Sequence, residues 1–378
     1  MTDLLPASTV GGGSATEREI TQQPDVWREV AAIVADHRGR LDAFLTPLLA
    51  DPALRIVLTG AGSSAFVGEV AAPALARRLR RRVDAVATTD LVADPRGRLA
   101  EDVPTLLVSF ARSGDSPESI AATEVADRVL TRVHHLVITC APWGRLAEVH
   151  ADRERSFVLL TPERSNDAGF AMTSSFTSML LSVLLVLLPG GGAEVAAVAR
   201  AGEAVLAGRD RIAAVTTRGP ARMVFLGSGP LTGIARESAL KVLELTAGRV
   251  DTYFDSALGF RHGPKAVVDP STFVVVYVSA DPYTAAYDLD IVRELRAAVG
   301  DDAVLAVRPS GPASDGDWVL EALDRVEDVW SAVAFVLVGQ LVALHASVRS
   351  GAETDNPFPS GDVNRVVRGV MIHPLPEG

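Results

Sequence analysis

A single cysteine, Cys140, occurs among 378 residues, so no disulfide can form within the chain. It stands in the apolar run Leu136-Val-Ile-Thr-Cys140. A buried structural thiol is expected there rather than a reactive one, which fits a reducing cytoplasm. Positive charge is outnumbered, with 36 Lys and Arg against 47 Asp and Glu. A net charge of −11 and a pI near 5.2 exclude any general attraction for nucleic acid or anionic lipid. Single positive sites can still take a phosphate. The first twenty residues show no basic stretch followed by an apolar core, so no secretory signal is expected. Metal-ligand spacing is lacking too. His134 and His135 are adjacent and would point to opposite faces of a strand. No metal and no other cofactor is expected.

Apolar residues are plentiful, at 48% of the chain with a mean hydropathy of +0.23, and the length suggests two or three domains. From Val329 to Val348 there is no Asp, Glu, Lys or Arg, a run long enough to cross a bilayer. It contains Gln340, His345 and several Ala and Ser, and no basic cluster flanks it. The expectation is therefore a helix buried in a core or an oligomer interface, with no membrane partner. Met179 to Leu188 reads as a shorter core helix.

The chain repeats itself. Arg55-Ile-Val-Leu-Thr-Gly60-Ala-Gly62-Ser63-Ser64 opens one unit and Arg222-Met-Val-Phe-Leu-Gly227-Ser-Gly229-Pro230 opens another. Each is an apolar run, a tight Gly-x-Gly turn and a helical pattern. Apolar runs at 105–110 and 135–139 recur at 273–279 and 303–307. Short apolar runs alternating with helix-length segments predict parallel βαβ units covered on both faces. The fold class is α/β: two tandem, doubly wound, flavodoxin-like parallel-sheet domains, about residues 45–190 and 210–350. A flexible tail and helical segment (1–44) precede them, and a tail (351–378) closes over the site.

Ligands of such sheets sit beyond the carboxyl ends of the strands. The loops there are rich in hydroxyls: Gly60-Ala-Gly62-Ser63-Ser64, Ala111-Arg112-Ser113-Gly114-Asp115-Ser116, and Met172-Thr173-Ser174-Ser175. Hydroxyls, backbone N–H groups and a helix amino terminus make a phosphate cradle, with Arg112 as its best cation. Ser and Thr are also ordinary loop and cap residues, but three such clusters at one sheet edge favour the cradle. Gly60-Ala-Gly62-Ser-Ser-Ala65 also satisfies a dinucleotide fingerprint, with Asp84 near the ribose-binding distance. That rival leaves the second serine loop without a role.

Glu237, Lys241 and Glu244 lie at i, i+4 and i+7 and share one helical face. His262 and Lys265 follow in a Gly/Pro-bounded loop. Alone, such spacing is most often a solvated salt-bridged face. Beside phosphate loops it matches what proton transfer on a sugar needs: a carboxylate base, a ring-opening group and cations.

These motifs resemble SIS (sugar isomerase) domains, and Glu237 to Glu244 with Arg261-His262-Gly-Pro264 resembles the isomerase half of glucosamine-6-phosphate synthase. No amino-terminal cysteine nucleophile or glutaminase domain is seen, which argues against glutamine-dependent synthesis. The closer likeness is to the AgaS group of galactosamine-6-phosphate deaminase/isomerases and tagatose-6-phosphate ketose/aldose isomerases. It rests on Thr88-Thr-Asp-Leu-Val92, Glu163-Arg-Ser-Asn-Asp-Ala-Gly-Phe170, Phe254 to Lys265, and Asn356-Pro-Phe-Pro-Ser-Gly-Asp-Val-Asn-Arg365.

The resemblance implies that Ser64, Ser113 and Ser116 hold a sugar phosphate, with Ser63, Thr173 and Ser174 nearby. It implies that Glu244 moves a proton between C1 and C2 and that His262 assists ring opening, from its own or a partner subunit of a homodimer. Glu237 and Lys241 would line the same pocket. Two departures stand out: Ala111-Arg112 replaces the synthase's Ser-Gln, and Arg368 stands where its tail carries a Schiff-base lysine. Arginine forms no imine at neutral pH, so covalent capture would fall to Lys265 or Lys241. The implied reaction converts an amino sugar 6-phosphate, galactosamine 6-phosphate above others, to a ketose 6-phosphate with hydrolytic loss of ammonia. Alternatives are plain aldose–ketose isomerisation and a non-catalytic sugar-phosphate regulator. Regulators of this type usually carry a DNA-binding helix-turn-helix, and no basic recognition helix precedes the first domain.

Overall fold

The computed structural model describes residues 14–216, 219–367 and 369–376. They divide into two compact units, one of residues 26–166, 174–193 and 363–376, the other of 14–25, 167–173 and 194–362. Each holds one five-stranded sheet in which every pairing is parallel.

The first sheet comprises β1 (Arg55–Thr59), β2 (Val83–Ala85), β3 (Thr105–Ala111), β4 (Val133–Thr139) and β5 (Ser156–Leu160), in the order β2-β1-β3-β4-β5. Every residue of β1 and β3 is buried, as a parallel sheet covered on both faces requires. Val57 and Leu107 meet Leu91, Ala122 and Ala126 in one apolar cluster, while Val137 and Ala111 meet Ile120 and Leu146 in another. All 14 residues of the helix Ser174–Leu187 are buried, so this helix with its apolar run is a core element. Cys140, just after β4, is buried, and on β4 His135 is buried beside a half-buried His134, as alternation along a strand predicts.

The second sheet comprises β6 (Arg222–Gly227), β7 (Asp251–Asp255), β8 (Thr272–Tyr277), β9 (Val304–Arg308) and β10 (Asp317–Val319), in the order β10-β9-β8-β6-β7. Counted from its own first strand, this order is the same as in the first sheet. The expected tandem doubly wound architecture is therefore present, preceded by the helices Ala15–Thr21, Gln23–Asp36 and Arg38–Leu49.

The charge-free run forms the helix Asp328–Ser350. It is long and apolar enough to cross a membrane, but 89% of its most apolar window is buried in the fold. It packs on the helix Pro230–Leu245, and Gly339 sets the approach. A Cβ there would come within 2.1 Å of Ser238 Oγ and 2.9 Å of Tyr277 Oη. Gln340, polar and fully buried, accepts from Gln23 Nε2 (2.6 Å) and donates to the Thr173 carbonyl (3.4 Å).

Candidate active site

In the first unit, β1 and β3 are neighbours at which the strand order reverses. The loops after them therefore share the crevice where such sheets bind ligands. Gly62 has φ +55°, and a Cβ on Gly60 would lie 2.6 Å from the Ser64 backbone, so only glycine fits both positions. The turn delivers the helix Ser63–Leu79 with its positive end at the crevice, and Ser63 and Ser64 form its buried first turn.

The loop after β3 turns at Gly114 (φ +71°). Ser113 Oγ accepts the Asp115 N–H at 3.3 Å, and Ser116 Oγ shares a proton with Ser119 Oγ at 2.6 Å. The buried Arg112 donates to the Arg365 carbonyl at 2.7 Å, which ties the carboxyl-terminal tail to this loop. Ser63, Ser64, Arg112, Ser113 and Ser116 thus come together at one sheet edge. Ser174 opens the buried helix that packs on Ser63–Leu79. Thr173 belongs to the other unit, where its N–H and hydroxyl both donate to buried Asp167 at 2.8 Å. Asp84, the residue a dinucleotide would need, is engaged by Arg55 (2.6 Å) and Arg82 (2.8 Å).

The second sheet repeats the turn but not the cradle. Gly229 (φ 58°, ψ −128°) copies Gly62 (φ 55°, ψ −130°), and a Cβ on Gly227 would lie 2.6 Å from the Leu231 carbonyl. However, Pro230 takes the first helical position and removes an N–H. Ser228 Oγ donates to Asp288 at 2.5 Å, and Asp288 also accepts the Ser279 N–H at 3.0 Å. Ser279 Oγ and the Ala280 N–H donate to Asp328 at 2.5 and 2.6 Å. Burial, opposed by these donors, raises the Asp288 pKa to about 6. Two carboxylates therefore stand in the second crevice, where they oppose an anion. The sequence reading did not single them out. The available signal was Asp288 itself, a carboxylate on the apolar stripe formed by Ile291, Val292 and Leu295.

The acid–base candidates lie on the helix Pro230–Leu245. Glu237 and Lys241 are fully buried, and the Glu244 side chain keeps 24% of its surface exposed. Lys241 Nζ contacts Glu244 Oε2 closely and stands 3.4 Å from Glu237 Oε1. The shared face is thus a buried charge cluster and not a solvated stripe. His262 is exposed at the end of the short helix Gly259–Arg261, which its N–H closes onto the Gly259 carbonyl at 2.9 Å. Gly263 (φ +120°) turns the chain into Pro264. Lys265 contacts Glu294, which also accepts from Arg261 Nε at 2.9 Å, and these two cations lower its pKa. Lys241 and Lys265 are the only lysines in the sequence, and both are ion-paired. Arg368 lies outside the described residues. Among the described residues, no group of three or more His, Cys, Asp or Glu side chains is arranged to hold a metal ion.

The SIS domain family matches residues 48–189. The chain is 60% identical over 367 residues to an AgaS protein of Streptomyces coelicolor, covering 95% of each chain. It is 43% identical to the D-galactosamine-6-phosphate deaminase AgaS of Shewanella sp. strain ANA-3, covering 96% of this chain and 93% of that one. Its fold matches the crystal structure of the tagatose-6-phosphate ketose/aldose isomerase from Escherichia coli with a TM-score of 0.89, at 41% identity over 98% and 99% of the two chains. The chain belongs to the AgaS family, the phosphosugar isomerase/deaminases of the SIS-domain type.

Proposed function

We propose that the chain converts galactosamine 6-phosphate to tagatose 6-phosphate and ammonia. The observation that carries this reading is the Glu237–Lys241–Glu244 cluster, in which Glu244 alone keeps side-chain surface to offer a substrate. The amino sugar is supported by the name of the Shewanella relative. Ser63, Ser64, Ser113, Ser116 and Ser174 hold the phosphate with Arg112, while the N–H and hydroxyl of Thr173 are committed to Asp167.

His262 opens the ring. Glu244 takes the C2 proton of the aldehyde form and returns it at C1. C2 loses the electron pair that C1 gains, and the proton given up by the amino nitrogen ends on O1, so the transfer balances within the sugar. The amino group becomes a C2 imine. Water then adds at C2, ammonia leaves, and the ketose phosphate remains. Lys241 lies between the two carboxylates and lowers their mutual repulsion, and with Lys265 held by Glu294 the imine is hydrolysed free of the protein.

A second reading, isomerisation of a hexose 6-phosphate without deamination, is favoured by the name of the Escherichia coli structure. Purified protein incubated with a panel of hexosamine and hexose 6-phosphates separates the two. Ammonia and ketose in equal amounts are expected from galactosamine 6-phosphate. Ketose from a hexose phosphate alone supports the second reading, and no turnover of any member sinks both. Glu244→Gln is expected to lower kcat at least about a hundredfold; full retention rejects the base.

The reading includes a cytoplasmic homodimer with the site at or near the subunit interface and the tail 351–378 closing over it. The exposure of His262, with Leu258 47% and Leu243 44% exposed, supports the interface, and the Arg112–Arg365 bond supports the tail. Residues 45–190 bind phosphate and 210–350 supply the acid–base groups. If His262 acts across subunits, mixing Glu244→Gln with His262→Asn protein restores about a quarter of the activity, since half the dimers are mixed and each has one intact site. No recovery places His262 in its own subunit.

A further inference from the structure

The loop after β4 carries an indole that the fold leaves in water. Trp27, Trp318 and Trp330 are buried, whereas Trp143 is 62% exposed. Among the Trp, Tyr and Phe side chains of the described residues, Tyr283 is the one other exposed to this degree, and its ring packs edge-on against Tyr287. No aromatic ring of the described residues pairs with Trp143.

The position of Trp143 is fixed by the phosphate-binding loop. β4 lies next to β3, so the loops after the two strands share the carboxyl edge of one sheet. A Cβ on Gly144 would lie 2.1 Å from the Ser113 carbonyl oxygen and 3.2 Å from Gly114 Cα. The Arg145 N–H donates to Asp115 Oδ1 at 3.0 Å, and the Leu146 N–H donates to the Gly114 carbonyl at 3.0 Å. Trp143 therefore sits one residue, about 3.8 Å along the chain, from a backbone contact that only glycine permits.

The chemistry of a hexose 6-phosphate says which atoms come near. With the phosphate on C6, carbons C5 and C4 lie closest to the phosphate loop, and the reacting C1 and C2 lie furthest away. In the galacto configuration the axial 4-hydroxyl leaves the C3, C4 and C5 hydrogens together on the opposite face. That apolar patch fits an aromatic plane. In the gluco configuration the C4 hydrogen turns to the other face and the patch is broken.

We propose that Trp143 is a specificity-determining residue whose indole stacks on the C3–C5 face of a galacto-configured sugar phosphate held by the Arg112–Ser116 loop. The inference rests on the amino sugar phosphate reading above and names the group that selects the configuration at C4. Trp143 acts on binding and not on the proton transfer.

Two measurements test it. Trp143 is the accessible fluorophore, so acrylamide quenching of intrinsic fluorescence reports on it directly. Galactosamine 6-phosphate is expected to protect it, and inorganic phosphate is expected not to. In kinetics, Trp143→Ala is expected to raise KM for galactosamine 6-phosphate about tenfold, the size of an aromatic stacking contact, with kcat changed less than about twofold. Preference over glucosamine 6-phosphate falls by the same factor, and Trp143→Phe restores most of it. An unchanged preference in Trp143→Ala, or quenching unaffected by the sugar phosphate, overturns the inference while the wild-type ammonia release keeps the parent reading intact. If the wild type turns over no hexosamine phosphate, both fall together.

Discussion

Lys241 is the residue on which the acid–base cluster depends. Its ammonium lies between Glu237, fully buried, and Glu244. Replacing it with Met takes the one ammonium from between two carboxylates, a loss expected to cost about 3–5 kcal/mol in urea unfolding. Lys241→Met paired with Glu237→Leu should recover much of that. The i, i+4, i+7 spacing made this trio legible in the sequence. Its burial was not, because the same spacing describes any solvated face until a packing partner is known.

Two buried groups act oppositely with pH. Burial lowers His150 to about 4, helped by nearby His135 and Arg153, whose repulsion outweighs the pull of Asp127, and its Nδ1 lies 2.8 Å from Ser156 Oγ. The unfolded chain protonates first, so the stability it contributes is full above pH 6.5 and is lost as pH falls towards 4, by about 3 kcal/mol. Asp288 is raised to about 6, so the folded state holds its proton longer. It costs nothing below pH 3.8 and about 3 kcal/mol above 6. Between pH 4 and 6 the two slopes offset one another. Asp288→Asn, which carries no charge to bury, is expected to gain on wild type by up to that amount between pH 4 and 7, with unfolding followed by denaturant at each pH. A constant difference across that range would refute the assignment.

At the scale of elements, the close crossing of Asp328–Ser350 on Pro230–Leu245 holds the helix that carries Glu244. Gly339→Ala forces its methyl into Ser238 Oγ and Tyr277 Oη, and is expected to cost about 1–3 kcal/mol in thermal unfolding, with activity falling alongside. The charge-free run was legible as a helix, and its Ala and Ser content suited burial in a core or an interface. Gln340 within it spoke against a membrane span, but its partner could not be named. It is half of a pair with Gln23, more than three hundred residues earlier, and no local pattern could reveal that. The strands were legible for a plainer reason. Parallel strands buried on both faces are continuous apolar runs, and β1, β3, β6 and β8 are such runs.

Across the whole molecule, two sheets of the same strand order have diverged at their crevices. The Gly-x-Gly turns kept one backbone conformation, yet Ser63 follows the first and Pro230 the second. The repeat was visible in the sequence. The filling of the second crevice was not, because Asp288 and Asp328 arrive there from helices far along the chain. One phosphate per chain is therefore expected. Calorimetric titration with galactosamine 6-phosphate should give a stoichiometry near one, strongly weakened by Arg112→Ala and untouched by Pro230→Ala. A stoichiometry near two would show that the second crevice binds after all.

The tail is held through its main chain. Arg112 and Arg96 grip it through the main-chain carbonyls of Arg365 and Pro376, each at 2.7 Å. A carbonyl is present whatever the side chain, so both anchors are blind to residue identity at 365 and 376. Sequence drift there is cheap, and alanine scanning of those two positions passes over the anchors in silence. Truncation after Asn364 is the cut that removes both.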